Sequence, residues 1–397
     1  MIKSATRYFR YFFTTIFFRK ERSILMRDCW ALMSNKPWKK NKITQEEKEK
    51  CIHAAANWLL NNQKFNSDSG FSTYYIVEGH TASYPETSGY ILDSLLHYSK
   101  QFSKPEILAR LYACADWLLS IQKESGGWQS GYINQNKKEV VFNTGQVMRG
   151  LLHAYKISGN EKYLIPCVKA ADWLCSTQEE DGSWQRFAFM NVKRVYESYV
   201  SSVLLEVWKI TQNEHYKNAA EKNIEWVIKN KIRPNGWLED CDNTIKHNTK
   251  PILHTIAYTI DGVIDCGLSL HNNKYLEAIK KTADVLLEKY MKQDYLGGRF
   301  NENWEESESF ICTGGAQISI CWLKLYRAYG DNKYLEAAKK MNDWLCWIQR
   351  STMDGENEIK GALQGSFPIY GRYEPFAYPN WATKYLLDAL MLEMEIG

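Results

Sequence analysis

No CxxC pair occurs in the 397 residues. The ten cysteines stand singly, several inside helical patterns such as Ala113-Cys114-Ala115-Asp116-Trp117. This scatter excludes a disulfide framework and predicts reduced, buried thiols in a cytosolic protein. Long hydrophobic runs are missing as well. Near the N-terminus the apolar stretch from Tyr11 to Phe18 is eight residues between Arg10 and Arg19, whereas a membrane span needs about 20. No small-residue cleavage site follows, so the stretch does not read as a signal peptide. A strong charge on the body is the third absence. Residues 1–40 hold ten Lys/Arg against Glu21 and Asp28, a net +8, and the chain total of +4 leaves −4 on the remainder. A phosphate-tracking surface needs clustered Lys/Arg on the folded part, so nucleic acid is excluded as a partner of the body. No residue pattern calls for a metal or another cofactor, and none is expected.

What is present is a core and a repeat. The chain is 45% hydrophobic with 15 Trp and 25 Tyr, too apolar for a disordered chain. One phrase recurs after residue 45: Asn57-Trp58-Leu59, Asp116-Trp117-Leu118, Asp172-Trp173-Leu174, Glu225-Trp226-Val227, Asp284-Val285-Leu286 and Asp343-Trp344-Leu345. The central residues are 59, 56, 53, 59 and 59 positions apart. Six copies at a nearly fixed period mean a repeat architecture.

Each copy carries two helical patterns. The first, as in Lys333 to Leu345, spaces apolar residues by three and four with charges between them, which predicts an amphipathic outer helix. The second helices are predicted at Thr87–Ser99, Thr144–Ile157, Glu197–Ile210, Tyr258–Leu270, Ala316–Tyr329 and Trp381–Glu393. They are rich in Gly, Ser and apolar residues with few charges, as an inner ring packed on both sides requires. Links from inner to outer helix are short, such as Ser158-Gly159-Asn160 and Gly330-Asp331-Asn332, and supply helix stops and restarts. Links from outer to inner helix are long and rich in Gly, Trp, Tyr and Asn, so binding is expected on the face where they gather. The predicted fold class is all-α, an (α/α)6 toroid of six helical hairpins over residues 45–397, preceded by a basic aromatic leader at 1–44.

Ala115 to Trp128, with Gln122 and Gly126-Gly127-Trp128, and Ala171 to Trp184, with Gln178 and Asp181-Gly182-Ser183-Trp184, resemble the QW repeat of terpenoid cyclases and protein prenyltransferases. In that motif the Gln amide can tie an outer helix end to the next loop while the Trp covers it, a structural role. The chemistry of those families does not follow. Glu239-Asp240-Cys241-Asp242 lacks the DxDD pattern and no DDxxD occurs. Asp240, Cys241 and His254 are the residue types of the prenyltransferase zinc set, but at the wrong spacing, and solvated loop carboxylates are the plainer reading. The six-hairpin plan of residues 45–397 is also similar to the six-hairpin glycosidases, which include unsaturated uronyl hydrolases, and to toroids of polysaccharide lyases, uronyl C5-epimerases and proteins encoded with bacterial surface-polysaccharide synthesis. This resemblance rests on architecture and implies a carbohydrate substrate.

The predicted inner-helix starts share Thr/Ser/Asn, Gly and an amide or carboxylate: Tyr84-Pro85-Glu86-Thr87-Ser88, Phe142-Asn143-Thr144-Gly145-Gln146, Tyr196-Glu197-Ser198, His254-Thr255, Thr313-Gly314-Gly315-Ala316-Gln317 and Tyr378-Pro379-Asn380-Trp381. Six such ends would converge on the axis; helix capping is the alternative. Glu86, Glu197 and Asp261 occupy comparable places and are the candidate acid and base for glycosidic cleavage. Tyr84, Tyr90, Tyr196, Tyr199, Tyr258 and His254 could bind sugar, or act as the base of a lyase or epimerase, as could His80. Asn143, Gln146 and Gln317 offer amides. Arg149 and Arg372, with Arg186, Arg194 and Arg299, could hold a uronate, although a loop Arg is commonly solvated or paired with a neighbouring acid. Trp381 could stack on a sugar ring, as could Trp304; Trp128, Trp184 and Trp237 more plainly close helix ends.

The expected function is hydrolysis of an anionic or amino-sugar oligosaccharide or polysaccharide by a carboxylate pair. Lyase or C5-epimerase chemistry, a non-catalytic glycan-binding assembly factor, and an isoprenoid-active toroid are the alternatives. The leader, with Arg7, Arg10, Arg19, Lys20, Arg22 and Arg27 among seven aromatic residues, is expected either to meet an anionic membrane surface or to pack on the toroid. The expected location is the cytoplasm, at or near the inner membrane face.

Overall fold

The amphipathic spacing read from the sequence is realised as fourteen α-helices in a computed structural model that describes residues 2–34, 42–247 and 249–397, without the side chains of residues 2–5 and 18. The part of the leader at 35–41 lies outside the described residues. Two leader helices, α1 (Ile2–Phe18) and α2 (Arg22–Met33), precede the repeats. Outer helices α3 (Gln45–Asn62), α5 (Leu108–Ser120), α7 (Glu161–Thr177), α9 (Glu214–Lys231), α11 (Asn273–Gln293) and α13 (Asn332–Met353) alternate with inner helices α4 (Pro85–Gln101), α6 (Val141–Ser158), α8 (Ser198–Thr211), α10 (Leu253–Ser269), α12 (Cys312–Tyr329) and α14 (Asn380–Ile396). Inner helices contact one another in the order α4, α6, α8, α10, α12, α14 and back to α4, so the ring is closed. Of its two flanking outer helices each inner helix packs chiefly on the one that follows it, and α14 packs on α3, which joins the two ends of the toroid.

The repeated phrase explains how neighbours lock. Its Asp receives the next outer helix: Tyr216 Oη donates to Asp172 at 2.7 Å, Tyr334 Oη to Asp284 at 2.6 Å, and Lys48 closes the ring on Asp343 at 2.7 Å. The Gln of the phrase then stitches the loop. Gln122 Nε2 donates to the carbonyls of Gly126 (2.8 Å) and Pro166 (2.9 Å), and Gln178 Nε2 to those of Gly182 (3.0 Å) and Ala219 (2.8 Å). Trp128 and Trp184 donate from Nε1 to the Leu118 and Leu174 carbonyls at 2.8 and 2.9 Å, filling acceptors that the last turn of a helix leaves open.

Short turns restart the outer helices by a common device. Asn160, Asn213, Asn272 and Asp331 each accept, at 3.1 Å, the backbone N–H two residues on, the bond expected of a good N-cap. Gly159 and Gly330 end the preceding helices at φ 66° and 69°, where a β-carbon would be strained. The inner helices behave differently: none of the six has a side-chain N-cap bond. Their Ser and Thr residues accept loop amides instead, Ser88 from Phe71, Thr144 from Trp128 and Thr383 from Leu363, each at 2.9 Å. Capping therefore does not account for the texture of these ends; loop anchorage does. Two inner helices start four or five residues earlier than the spacing predicts, α12 at Cys312 and α10 at Leu253, which places His254 inside a first turn.

Short strand pairs sew the long loops together. Tyr74–Tyr75 pairs with Gly79–His80 and with Ala377–Tyr378, joining the loops of the first and sixth hairpins. Phe310–Ile311 pairs with Ser366–Phe367, joining the fifth and sixth.

Candidate active site

At the N-terminal ends of the inner helices the ring opens into a cavity of about 530 Å³. Helix geometry sets its depth. Glu86, His254 and Trp381 are second residues of α4, α10 and α14, and Tyr90 and Tyr258 are sixth residues of α4 and α10, so the tyrosines lie roughly 6 Å deeper. Tyr84, Asn143, Phe142, Tyr196 and Tyr373 complete much of the wall. Behind the floor tyrosines Tyr90 and Tyr258 further phenol rings interlock: Tyr199 and Tyr258 have centroids 5.0 Å apart, Tyr90 and Tyr385 5.7 Å, Tyr258 and Tyr385 5.9 Å. Rigid aromatic walls carrying hydroxyls suit a sugar, which presents apolar ring faces and a polar rim.

Two carboxylates line the cavity, Glu86 and Glu374. Glu86 is half-buried, and loss of hydration lifts its carboxyl to about 7, with the Tyr84 hydroxyl opposing the rise. Glu374 is also lifted by burial, against the Tyr75 hydroxyl, which donates to Oε2, and the more distant Arg7 guanidinium. Tyr373 lines the wall with them, and its hydroxyl accepts from Trp381 Nε1 at 2.9 Å. His254 is held neutral, its pKa lowered to about 4 by burial, with Nδ1 3.1 Å from Gln317 Oε1. Donation from Nδ1 to that oxygen leaves Nε2 as an acceptor.

Of the residues singled out from sequence, Glu86, Tyr84, Tyr90, Asn143, Tyr196, His254, Tyr258 and Trp381 are brought together in the cavity wall. Gln317 supports His254 from behind. The remaining candidates lie elsewhere. Asp261, ninth residue of α10, lies deeper than the tyrosine floor, where Lys324 Nζ bridges it and Asp265 at 2.6 Å each. Its carboxylate answers a half-buried ammonium, so it is not available as the partner of Glu86. Arg149 sits in the same layer, its guanidinium 3.7 Å over the Tyr199 ring and bonded to Ser202 Oγ at 2.7 Å. Gln146 accepts from Arg149 Nε at 3.1 Å, and neither it nor Tyr199 lines the cavity.

Glu197 ends a short 3-10 turn before α8, is fully buried, and has no hydrogen-bond partner on either carboxyl oxygen. Burial, and to a lesser degree the nearby Glu86, hold it well above the usual carboxylate range. It thus lies outside the wall rather than serving as a second cavity carboxylate. Arg372 leaves the cavity as well, lining an adjoining groove with Lys250, Arg299, Glu308 and Thr244. Arg299 is there committed to Asp242 and Glu308, at 3.2 and 3.1 Å. His80 stacks on Phe65 at 3.6 Å, away from the wall.

Sequence reading missed Tyr373 and Glu374 because they lie in the loop before α14 rather than at a helix start. A signal was there: Tyr373-Glu374-Pro375 repeats the residue types of Tyr84-Pro85-Glu86 in another order. The backbone of that loop is held in unusual conformations, with φ of 46° at Glu374 and 56° at Phe376, a strain that persists only where the surroundings enforce it. Ser366 Oγ bonds the Tyr373 carbonyl at 2.5 Å and Phe376 N the Ile369 carbonyl at 2.9 Å. The leader braces the same loop. Tyr8 Oη donates to the Tyr370 carbonyl at 2.7 Å, and the buried Asp28 accepts from Ile369 N at 2.7 Å and Gln364 Nε2 at 2.8 Å.

Among the described residues no three His, Cys, Asp or Glu side chains lie close enough to hold a metal ion, and no cysteine lines the cavity. Asp240 pairs with Lys231 at 2.7 Å and Cys241 Sγ lies 3.4 Å from Thr259 Oγ1, so the prenyltransferase-like trio does not assemble.

A closed ring of six hairpins with an acid-bearing, tyrosine-walled cavity at its long-loop end defines a carbohydrate-active, glycoside hydrolase-like toroid. The chain belongs to the family of the β-L-arabinofuranosidase GH127 catalytic domain, whose profile matches residues 32–310. The match includes Glu86 and His254 and stops short of Glu374. No curated protein matches the chain by sequence. Among solved structures, the fold is similar to an unsaturated glucuronyl hydrolase specific for heparin, with a TM-score of 0.71 and 16% identity over 89% of this chain and 98% of that one. It is also similar to the unsaturated glucuronyl hydrolase of a Bacillus species (TM-score 0.68, 17% identity, 87% and 96% of the two chains). A third is a Streptococcus agalactiae unsaturated glucuronyl hydrolase variant complexed with dGlcA-GalNAc6S (0.66, 15%, 89% and 93%).

Proposed function

We propose that the protein is a glycoside hydrolase that removes a terminal sugar from an oligosaccharide, with Glu86 as general acid and Glu374 as the ionised partner. The observation that carries this reading is the presence of two carboxylates in one tyrosine-walled cavity. Burial lifts both carboxyls, and a tyrosine hydroxyl opposes the rise at each. Glu86, lifted to about 7, keeps its proton at mildly acidic pH and can pass it to a departing glycosidic oxygen. Burial lifts Glu374 and the Tyr75 hydroxyl, which donates to it, opposes that rise; in its ionised form it would activate water or stabilise positive charge at the anomeric carbon. Asn143 and the tyrosine hydroxyls would bind sugar hydroxyls, and Trp381 or Phe142 would cover a ring face.

Among the described residues the cavity wall contains one Lys or Arg, Lys137, so the sugar at the cleavage point need not be anionic. An acidic or sulfated group further along the glycan would meet the adjoining groove, where Arg372 is 81% exposed, though 3.5 Å from Glu308, and Lys250 is its neighbour in the lining. Neutral His254, as a hydrogen-bond acceptor, would bind a hydroxyl; the lyase and epimerase alternatives would instead require it, or a cavity tyrosine, to abstract a carbon-bound proton. A panel of aryl glycosides and uronate-capped oligosaccharides, analysed for released sugar, tests the reading. Hydrolytic release that disappears in both Glu86→Gln and Glu374→Gln supports it. An unsaturated or epimerised product, or turnover retained in both variants, contradicts it.

A further inference from the structure

Each leader helix has two unlike faces. Inward, Tyr11, Ile24, Leu25 and Ala31 are buried against the toroid. Outward, Phe9, Phe13 and Phe17 recur every fourth residue of α1, and Met26, Trp30 and Met33 follow at intervals of four and three on α2. All six are exposed, from 55% for Phe13 to 82% for Met33. Those intervals put each trio on one side of its helix. Seven of the 16 exposed large apolar side chains among the described residues fall between positions 9 and 33, which is a concentration rather than the usual scatter.

Charge is sorted with the same sense. Arg10, Arg19, Lys20 and Arg22 are exposed, while Glu21 and Asp28, the acids of the segment, are buried. Lys20 is partnered by Glu356 at 2.5 Å, and Asp28 is turned inward, where it holds the loop before α14. No described helix is long and apolar enough to cross a membrane, so a lipid contact made by this segment would lie along the surface.

We propose that the outward faces of α1 and α2 form a docking surface for an anionic phospholipid membrane. Aromatic and methionine side chains enter the boundary between headgroups and acyl chains while the arginines meet the phosphates. A second copy of the chain is the poorer occupant, because a self-complementary contact would bring the same cations together. Docking would hold the toroid at the lipid surface through the segment that braces the Tyr373–Glu374 loop. It does not depend on the chemistry of the cavity, so its failure would leave the proposed hydrolysis untouched.

The test is co-sedimentation of the full chain with vesicles containing phosphatidylglycerol and with vesicles of phosphatidylcholine alone. Partitioning to the anionic vesicles should be at least about tenfold stronger, and should fall about fivefold for each of Arg10→Gln and Arg22→Gln, from the surface attraction of one basic residue. Raising salt should weaken it. Phe13→Ser with Phe17→Ser, and separately Trp30→Ser, should each lower it about tenfold or more while circular dichroism and the melting temperature stay those of the parent, since these side chains are exposed. Equal partitioning to both vesicles, no partitioning, or apolar variants that abolish self-association while vesicle binding is unchanged would overturn the proposal.

Discussion

Replacing Glu86 with glutamine should abolish turnover and stabilise the fold, and the stabilisation should appear only as the pH rises. A glutamate in an unfolded chain titrates near 4.5, whereas Glu86 in the folded protein is lifted to about 7 by burial. A folded-state value above the unfolded one means that the native state binds the proton more tightly. The contribution is therefore fully present below about 4.5 and is lost as pH rises through about 7. Each unit of separation corresponds to about 1.4 kcal/mol, so ionising Glu86 costs the fold roughly 3 kcal/mol by pH 8 and about half of that near pH 5.7. Glutamine does not titrate and escapes this loss. Urea unfolding of the parent and of Glu86→Gln at pH 4.5, 5.7 and 8 measures it directly: the variant's advantage should grow by roughly 3 kcal/mol across the range. Over the same range activity of the parent should decline above about pH 7, as the acid loses its proton. A stability difference that is flat with pH would refute the argument that Glu86 is desolvated in the cavity wall.

Tyr75→Phe removes the donor that favours ionised Glu374; a hydrogen bond to a charged group is worth about 1.5–3 kcal/mol, so the acidic limb of the pH–kcat profile should move up by roughly one to two units. Asp261→Asn should lower the melting temperature, because Lys324 then keeps only Asp265, while kcat of the folded enzyme changes by less than about threefold; a loss of a hundredfold or more would return Asp261 to the chemistry. Trp128→Ala should destabilise by about 3–5 kcal/mol through the cavity it leaves and the freed Leu118 carbonyl, without altering KM at temperatures where the variant is folded. Asp28→Asn weakens the brace on Ile369 and Gln364 and should reduce kcat through Glu374 while leaving the pH at which Glu86 titrates unchanged, a split that a pH–rate profile resolves.

The ring was legible because its spacing is written in residues that do structural work. Trp117, Trp173 and Trp344 recur where Asp and Gln lock neighbouring outer helices, and the asymmetry of short and long links locates the open face. The cavity was half legible for the same reason. Glu86, Tyr84, Asn143 and His254 sit at helix starts, and helix starts can be read from Pro, Thr and Gly signals. Depth could not be read. Asp261 and Glu86 both belong to inner helices, but seven residues of helix rise and a half-buried lysine from α12 separate their environments, and neither is visible in a one-dimensional pattern. Glu374 was hidden because its position depends on a strained loop held by strand pairing to the first hairpin and by the leader, contacts across some 300 positions of sequence. Glu197 shows the converse: its place beside Tyr196 matched the pattern, yet it is buried without a partner behind the wall.

The pairing of Glu86 with Glu374 is tested most directly by a crystal structure of Glu86→Gln soaked with an oligosaccharide that the parent cleaves. The account predicts a terminal sugar inside the tyrosine ring, with the glycosidic oxygen within hydrogen-bond distance of the residue-86 side chain and the anomeric carbon facing Glu374. A sugar bound outside the cavity, or one whose scissile bond lies away from both side chains, would contradict it.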